Sequence, residues 1–223
     1  KKLRARFFSL IIPFLLWNLF RFFLFYALGK LGITEKLLNL AGIDYHILDD
    51  EACCGSVLLR TGFEDEALEQ ISKNTEVFKD ELILTSCAGC YKTFKDDYDN
   101  INVIHISQLI DDLIKNKKLN FSKKDLNVTF HDSCHLGRHS NIFDSPRDVI
   151  KSVANLVEME NVRENSLCCG AGGGVKSAYP KIASEMAKSR INQAKDTGCE
   201  TLITACPFCK LNLENEGYDV DVA

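Results

Sequence analysis

The chain carries no excess of positive charge. Its 27 Lys and Arg residues stand against 31 Asp and Glu, a formal net charge of −4. No basic stripe interleaved with aromatics runs through the body, which argues against nucleic acid as a partner. No Ser-His-Asp order, phosphate-binding loop or dinucleotide fingerprint is present. The glycine run Gly170-Ala171-Gly172-Gly173-Gly174 lacks the strand-then-helix context of G-x-G-x-x-G, so a Rossmann cofactor is rejected. What the chain does hold is ten cysteines in 223 residues.

Those cysteines decide the class. Disulfide frameworks belong mostly to short, loop-rich secreted chains. This chain is longer, reads as α/β, and groups its cysteines as Cys-Cys and Cys-x-x-Cys. Neighbouring cysteines pair poorly with each other, and clustered thiols in a reducing compartment favour metal. A cytoplasmic setting follows. The length accommodates two units of about 100 residues or one larger α/β domain.

Three segments are expected. Residues 1–32 form a hydrophobic N-terminal segment in which, over 7–28, only Ser9, Pro13, Asn18 and Arg21 are not apolar. Lys1, Lys2, Arg4 and Arg6 precede that run, so a membrane helix with a cytoplasmic basic flank is one reading. Arg21, costly near a bilayer centre, favours the other, a buried or disrupted start of the first domain. The start at Lys1 rather than Met reads as a fragment of a longer protein. Residues 33–118 and 119–223 are two tandem domains joined in the lysine-rich stretch Lys115–Lys124.

In the first domain, helices are expected over Ile33–Leu40, Glu64–Lys79 and Ser107–Ile114, the last capped by Ser107. Strands are expected over Tyr45–Leu48, Leu82–Thr85 and Asn102–Ile106. In the second, strands fall at Val128–His131, Leu156–Met159 and Thr201–Thr204. Helices open at Ser145-Pro146, with Ser145 as cap, and cover Tyr179–Asp196. Alternation of this kind implies mainly parallel, covered sheets.

The two halves repeat each other. Leu82-Ile83-Leu84-Thr85-Ser86-Cys87-Ala88-Gly89-Cys90 aligns with Thr201-Leu202-Ile203-Thr204-Ala205-Cys206-Pro207-Phe208-Cys209. Cys53-Cys54-Gly55 aligns with Cys168-Cys169-Gly170. In an open α/β sheet the loops after parallel strands share one edge. That edge would gather Cys134, Cys168, Cys169, Cys206 and Cys209, one more soft ligand than a tetrahedral zinc or a cubane cluster takes. Gly170 and Gly172 would let the backbone approach and donate N–H groups to sulfur. The first copy supplies Cys53, Cys54, Cys87 and Cys90 but no upstream cysteine.

The segment His131-Asp132-Ser133-Cys134-His135-Leu136-Gly137-Arg138, with Arg163-Glu164-Asn165-Ser166 before Cys168 and with Cys206-Pro207-Phe208-Cys209, resembles the cysteine-rich CCG-domain family. The resemblance covers about residues 33–223 and is greatest to the catalytic iron–sulfur subunit of CoB–CoM heterodisulfide reductase. The iron–sulfur subunit of glycolate oxidase and the thiol-driven fumarate reductase subunit are also similar. The resemblance implies a noncubane [4Fe–4S] cluster on the five second-copy cysteines, and disulfide cleavage in one-electron steps. The first copy, one thiol short, is open to an ordinary cluster, a zinc or a defective site. The alternative is an electron relay for a 2-hydroxy-acid oxidase or fumarate reductase complex.

The chain lacks the close cysteine runs of ferredoxin domains. Electrons are therefore expected to enter from another subunit, of flavin or ferredoxin type or a membrane cytochrome b, or from a missing part of the chain; the setting is cytoplasmic, with the inner face of the cell membrane as one option. Near Cys134, His135 and His131 are candidates for moving a proton or for hydrogen-bonding sulfur, or they simply cap backbone. Arg138 and Arg163 are candidate anion anchors, or surface ion pairs. Cys199 reads as a small buried hydrophobe.

Overall fold

The computed structural model describes residues 34–47 and 52–222. The chain divides into two compact units, Lys1–Ile47 and Leu48–Ala223. In the first unit, residues 34–40 form helix α1, followed by a turn in which Gly42 takes φ +65°. The described part of the strand expected at Tyr45–Leu48 is instead irregular. Tyr45 and Ile47, which would share one face, are 38% and 52% exposed, and His46 on the other face is exposed too, so neither face gains the burial that would stabilise a strand. The apolar run at 7–28 lies outside the described residues.

The second unit holds both cysteine copies. Its first half runs α2 (Ser56–Thr61), α3 (Glu64–Val77), β1 (Leu82–Thr85), α4 (Ala88–Asp96), β2 (Asn102–His105) and α5 (Ile106–Lys115). Its second half runs β3 (Asn127–His131), α6 (Asp144–Val153), β4 (Asn155–Leu156), α7 (Val175–Ala178), α8 (Pro180–Asp196), β5 (Thr201–Thr204), α9 (Pro207–Glu214) and β6 (Asp219–Val222). β1 pairs with β2, and a four-stranded sheet has the order β4-β3-β5-β6. Every pairing is parallel, as the strand–helix alternation requires.

Residues 128–131 of β3 are all buried, the mark of a strand covered on both faces. Val128, Phe130, Leu202 and Val220 of the sheet share one apolar cluster with Ile150 of α6, Ala187, Ile191 and Ala194 of α8, and Leu213 of α9. The small residues Ala183, Ala187 and Ala194 recur at helical spacing, which lets α8 lie close to the sheet. Ala88 and Tyr91 of α4 belong to this same cluster, so an apolar core joins the two copies. A second cluster lies under the first copy, where Phe78, Phe94 and Tyr98 stack edge to face at 5.4 and 4.9 Å.

Several expected boundaries shift for identifiable reasons. α5 is capped by His105, not Ser107: the His105 ring accepts from the Ser107 N–H while Gln108 reaches back to the His105 N–H. α6 begins at Asp144, so Ser145 lies inside the first turn and caps nothing. β4 keeps only two residues, and just beyond it Glu158 accepts from Arg147 at 2.7 and 3.1 Å. α4 and α9, which start directly after Cys87 and Cys206, were not expected from the sequence.

Arg147 is fully buried and forms a bidentate pair with Asp132 at 2.7 and 2.8 Å. Asp132 also accepts from the Arg163 N–H, which fixes the loop leading to Cys168. Removing one member of a buried pair leaves an uncompensated charge. Arg147→Met is therefore expected to destabilise the protein by about 3–5 kcal/mol, measured by denaturant unfolding.

Candidate metal centre

The sheet geometry places the cysteines. β3 and β5 run in register with His131 opposite Thr204, so Cys134 and Cys206 leave the same edge. β1 and β2 end together at Thr85 and His105, with Cys87 two residues beyond. Cys87 and Cys206 are the N-caps of α4 and α9, and Cys90 and Cys209 lie in the first turns. A helix N-terminus carries unpaired N–H groups and positive potential, favourable to thiolate. The Cys-Cys-Gly turns supply more N–H groups. Gly170 N–H donates to Cys168 Sγ at 3.3 Å, and the N–H groups of Gly55, Ser56 and Ala171 face Cys53, Cys54 and Cys169.

The nine motif sulfurs adjoin in one unbroken series. Cys53 acts on Cys54, and Cys54 lies 3.3 Å from Cys90. Cys90 acts on Cys87, Cys87 on Cys206, and Cys206 on Cys209. Cys209 adjoins Cys169, which adjoins Cys168, which adjoins Cys134. The Cys87–Cys206 contact joins the two copies. Cys199 is buried outside this series, as a small apolar side chain.

So many thiols cannot all ionise side by side. Hydrogen bonds from Cys53 and then Cys90 lower the Cys54 thiol to about 4, and those from Cys134 and Cys169 lower Cys168 to about 2. Cys206 is held low by Cys209 and Cys87. Their donors move the other way: Cys53, Cys90, Cys134 and Cys209 are raised by neighbouring thiols and burial, and Cys169 reaches about 12 through Cys168. Only a multivalent cation would let every sulfur be anionic at once. Soft sulfur donors in this number fit iron or zinc, and the five-thiol end exceeds what one tetrahedral ion takes. Buried His131 Nε2 has no hydrogen-bond partner among the described residues, which also fits a site built to hold something more.

Other named residues take clear places. His135 Nδ1 lies 3.6 Å from Cys134 Sγ, half-buried, with its pKa lowered by burial. Arg138 donates to the carbonyls of Glu164 and Ser166 at 3.1 and 2.5 Å, and so braces the loop before Cys168. Arg163 pairs with Asp144 at the surface. Gly172 has open space where a side chain would stand, whereas Gly170, at φ +84°, would bring a Cβ to 2.7 Å from the Ala183 carbonyl. Gly170 therefore serves packing against α8 as well as sulfur.

Some supporting residues were not foreseen. Asn74 Nδ2 donates to Cys53 O at 3.0 Å, and Asn212 Nδ2 to Cys169 O at 2.6 Å. Each Cys-Cys turn is thus held by a buried amide, but from α3 in one copy and α9 in the other, which a repeat alignment does not reveal. His105, buried with its pKa lowered to about 4 chiefly by desolvation, faces the backbone of Ser86 and Ala205, the residues before Cys87 and Cys206.

Paired Cys-Cys-Gly and Cys-x-x-Cys thiols on the carboxyl edges of parallel sheets define a cysteine-rich metal-binding class. The chain belongs to the CCG family, a cysteine-rich domain, matched over residues 29–95 and 128–214. It is 43% identical over 197 residues to a component of the dihydromethanophenazine:CoB–CoM heterodisulfide reductase of Methanosarcina acetivorans, covering 81% of this chain and 48% of that protein. It is 36% identical over 210 residues to a component of the CoM/CoB fumarate reductase of Methanothermobacter marburgensis, covering 88% and 42%. It is 34% identical over 191 residues to the EtfAB:quinone oxidoreductase of Syntrophomonas wolfei, covering 78% and 27%. The chain thus spans about half or less of the curated relatives it matches.

Gly170→Ala combines an unfavourable positive φ, about 1–3 kcal/mol, with a backbone clash. It is expected to lower the denaturation midpoint and displace Cys168 and Cys169, read as loss of bound metal per chain by elemental analysis.

Proposed function

We propose that this chain is an iron–sulfur oxidoreductase subunit of the heterodisulfide-reductase type, acting on a thiol disulfide of the CoM-S-S-CoB kind. The observation that carries this reading is the unbroken series of nine sulfurs across both copies, joined at Cys87 and Cys206. Cys134, Cys168, Cys169, Cys206 and Cys209 would hold a noncubane [4Fe–4S] cluster, and Cys53, Cys54, Cys87 and Cys90 a four-thiol cluster. Such groups supply electrons one at a time, as a two-electron disulfide reduction in steps needs.

The chain's own residues do the rest. Backbone N–H groups at both Cys-Cys-Gly turns and at the starts of α4 and α9 favour the thiolate form. His135 Nδ1, beside Cys134 and half-buried, is placed to deliver a proton to a departing thiolate. Partners would be a flavin- or ferredoxin-type subunit or a membrane cytochrome b, at the inner face of the membrane. Among the described residues, no helix is long and apolar enough to cross a membrane.

A second reading is an electron relay within a 2-hydroxy-acid oxidase, fumarate reductase or quinone-linked complex. It is favoured by the four thiols of the first copy and by the likeness to a quinone oxidoreductase.

Anaerobically purified protein is expected to be brown, with iron and acid-labile sulfide; zinc without iron would end both readings. Oxidised protein mixed with 2-mercaptoethanesulfonate should develop a new EPR signal if it reduces disulfides, and none if it only relays. Cys206→Ala should lose more than half of the iron, because Cys206 adjoins both copies, while Cys199→Ala should retain it.

A further inference from the structure

His131 ends β3 almost completely buried, and its ring is fully committed on one side. Arg190 Nε donates to His131 Nδ1 at 3.0 Å. A guanidinium can only donate, so Nδ1 must be the acceptor, and a neutral ring then carries its proton on Nε2. The Nε2 atom has no hydrogen-bond partner among the described residues. A ring nitrogen of His131 lies within 4.8 Å of both Cys169 Sγ and Cys209 Sγ, and Cys168 and Cys206 also act on the ring. The ring therefore lies among these sulfurs, with Nδ1 already taken by Arg190.

Arg190 raises the same question from the other side. It is wholly buried, and its hydrogen-bond partners are His131, the Asn161 carbonyl and Gln193, with no carboxylate among them. Its Nη2 has no hydrogen-bond partner among the described residues. A buried guanidinium without a carboxylate needs negative charge nearby. Asp132 and Cys209 are the first two groups that favour its cationic form, and Asp132 is already bound bidentately by Arg147.

We propose that Arg190 and His131 form a positioning pair that sets the electron affinity of the second sulfur site. Arg190 locks the ring as the Nε2–H tautomer, and His131 directs that N–H at the sulfurs of Cys169 and Cys209. The inference rests on reading those cysteines as iron ligands. A reduced site carries one more negative charge than an oxidised one. An N–H aimed at sulfur, backed by a buried cation, stabilises the reduced form and raises the potential. Of the two buried arginines among the described residues, Arg147 is spent on acids and Arg190 on a histidine.

The test uses the anaerobically purified, iron-loaded chain. Its readout is the midpoint potential of the second site, followed by EPR during redox titration. His131→Phe should load iron and favour the oxidised form about tenfold more than the wild type, a fall of about 59 mV for one electron. His131→Gln, whose amide can still donate, should recover most of that shift. Arg190→Gln should shift the potential the same way as His131→Phe. An iron-loaded His131→Phe protein with an unchanged potential overturns the proposal while leaving the iron–sulfur reading standing. Absence of iron from the wild type overturns both.

Should the variants fail to load iron, 15N-histidine labelling of the His135→Phe protein decides. Pulsed EPR of the reduced state should then show a histidine nitrogen coupling and an exchangeable proton. Their absence overturns the proposal.

Discussion

Mutual repulsion of closely packed sulfur anions is the constraint to which this structure answers. Nine thiols from five chain segments adjoin one another, four of them buried and five half-buried. Left to themselves they divide into a few thiolates held low and neighbours held high, each thiolate stabilised by a thiol donor. A multivalent cation would neutralise that charge and let all nine sulfurs be anionic together. The surrounding elements reduce the cost of that charge. Two helices begin at the sulfurs, two Cys-Cys-Gly turns direct N–H groups at them, and a buried guanidinium stands behind them.

Sulfur placement in turn explains the architecture around it. Parallel strands bring Cys87, Cys134 and Cys206 to common edges, because β1 with β2 and β3 with β5 end in register. The Cys-Cys-Gly turns then have to reach that edge from between helices. They are pinned by carbonyl contacts: Asn74 and Tyr98 on the first turn, Asn212 on the second. The Asp132–Arg147–Glu158 network and the two carbonyl contacts of Arg138 hold the loop that leads to Cys168. Stability and function share residues here: loss of Arg147 would loosen the same loop that carries Cys168.

Much of this was legible in the amino-acid order, and the limits have physical reasons. Leu82–Thr85 and Thr201–Thr204 are short apolar runs ending in cysteine, and both form strands at those residues. The parallel sheets followed from strand–helix alternation. The strand expected at Tyr45–Leu48 failed because alternating apolar residues there meet no buried face. The helices after each Cys-x-x-Cys were hidden because their apolar spacing is short and their caps are cysteines, not the usual Ser, Thr, Asp or Asn. His131 could be named from its nearness to Cys134, but its tautomer could not. Arg190, 59 positions away in sequence, supplies the proton that decides it.

The join between the copies shows why the two sites have to be considered together. Cys87 and Cys206 meet where α4 and α9 begin, and Ala88 and Tyr91 of α4 are packed into the core of the second copy. His105, at the end of β2, faces the backbone just before each of those cysteines, and its Nδ1 accepts from the Ser107 N–H. Its remaining proton therefore sits on Nε2, as in His131. Two buried neutral histidines, one at a strand end in each copy, thus flank Cys206 from opposite copies. A charge added to either group of sulfurs is felt at Cys206 through a medium with little water to screen it.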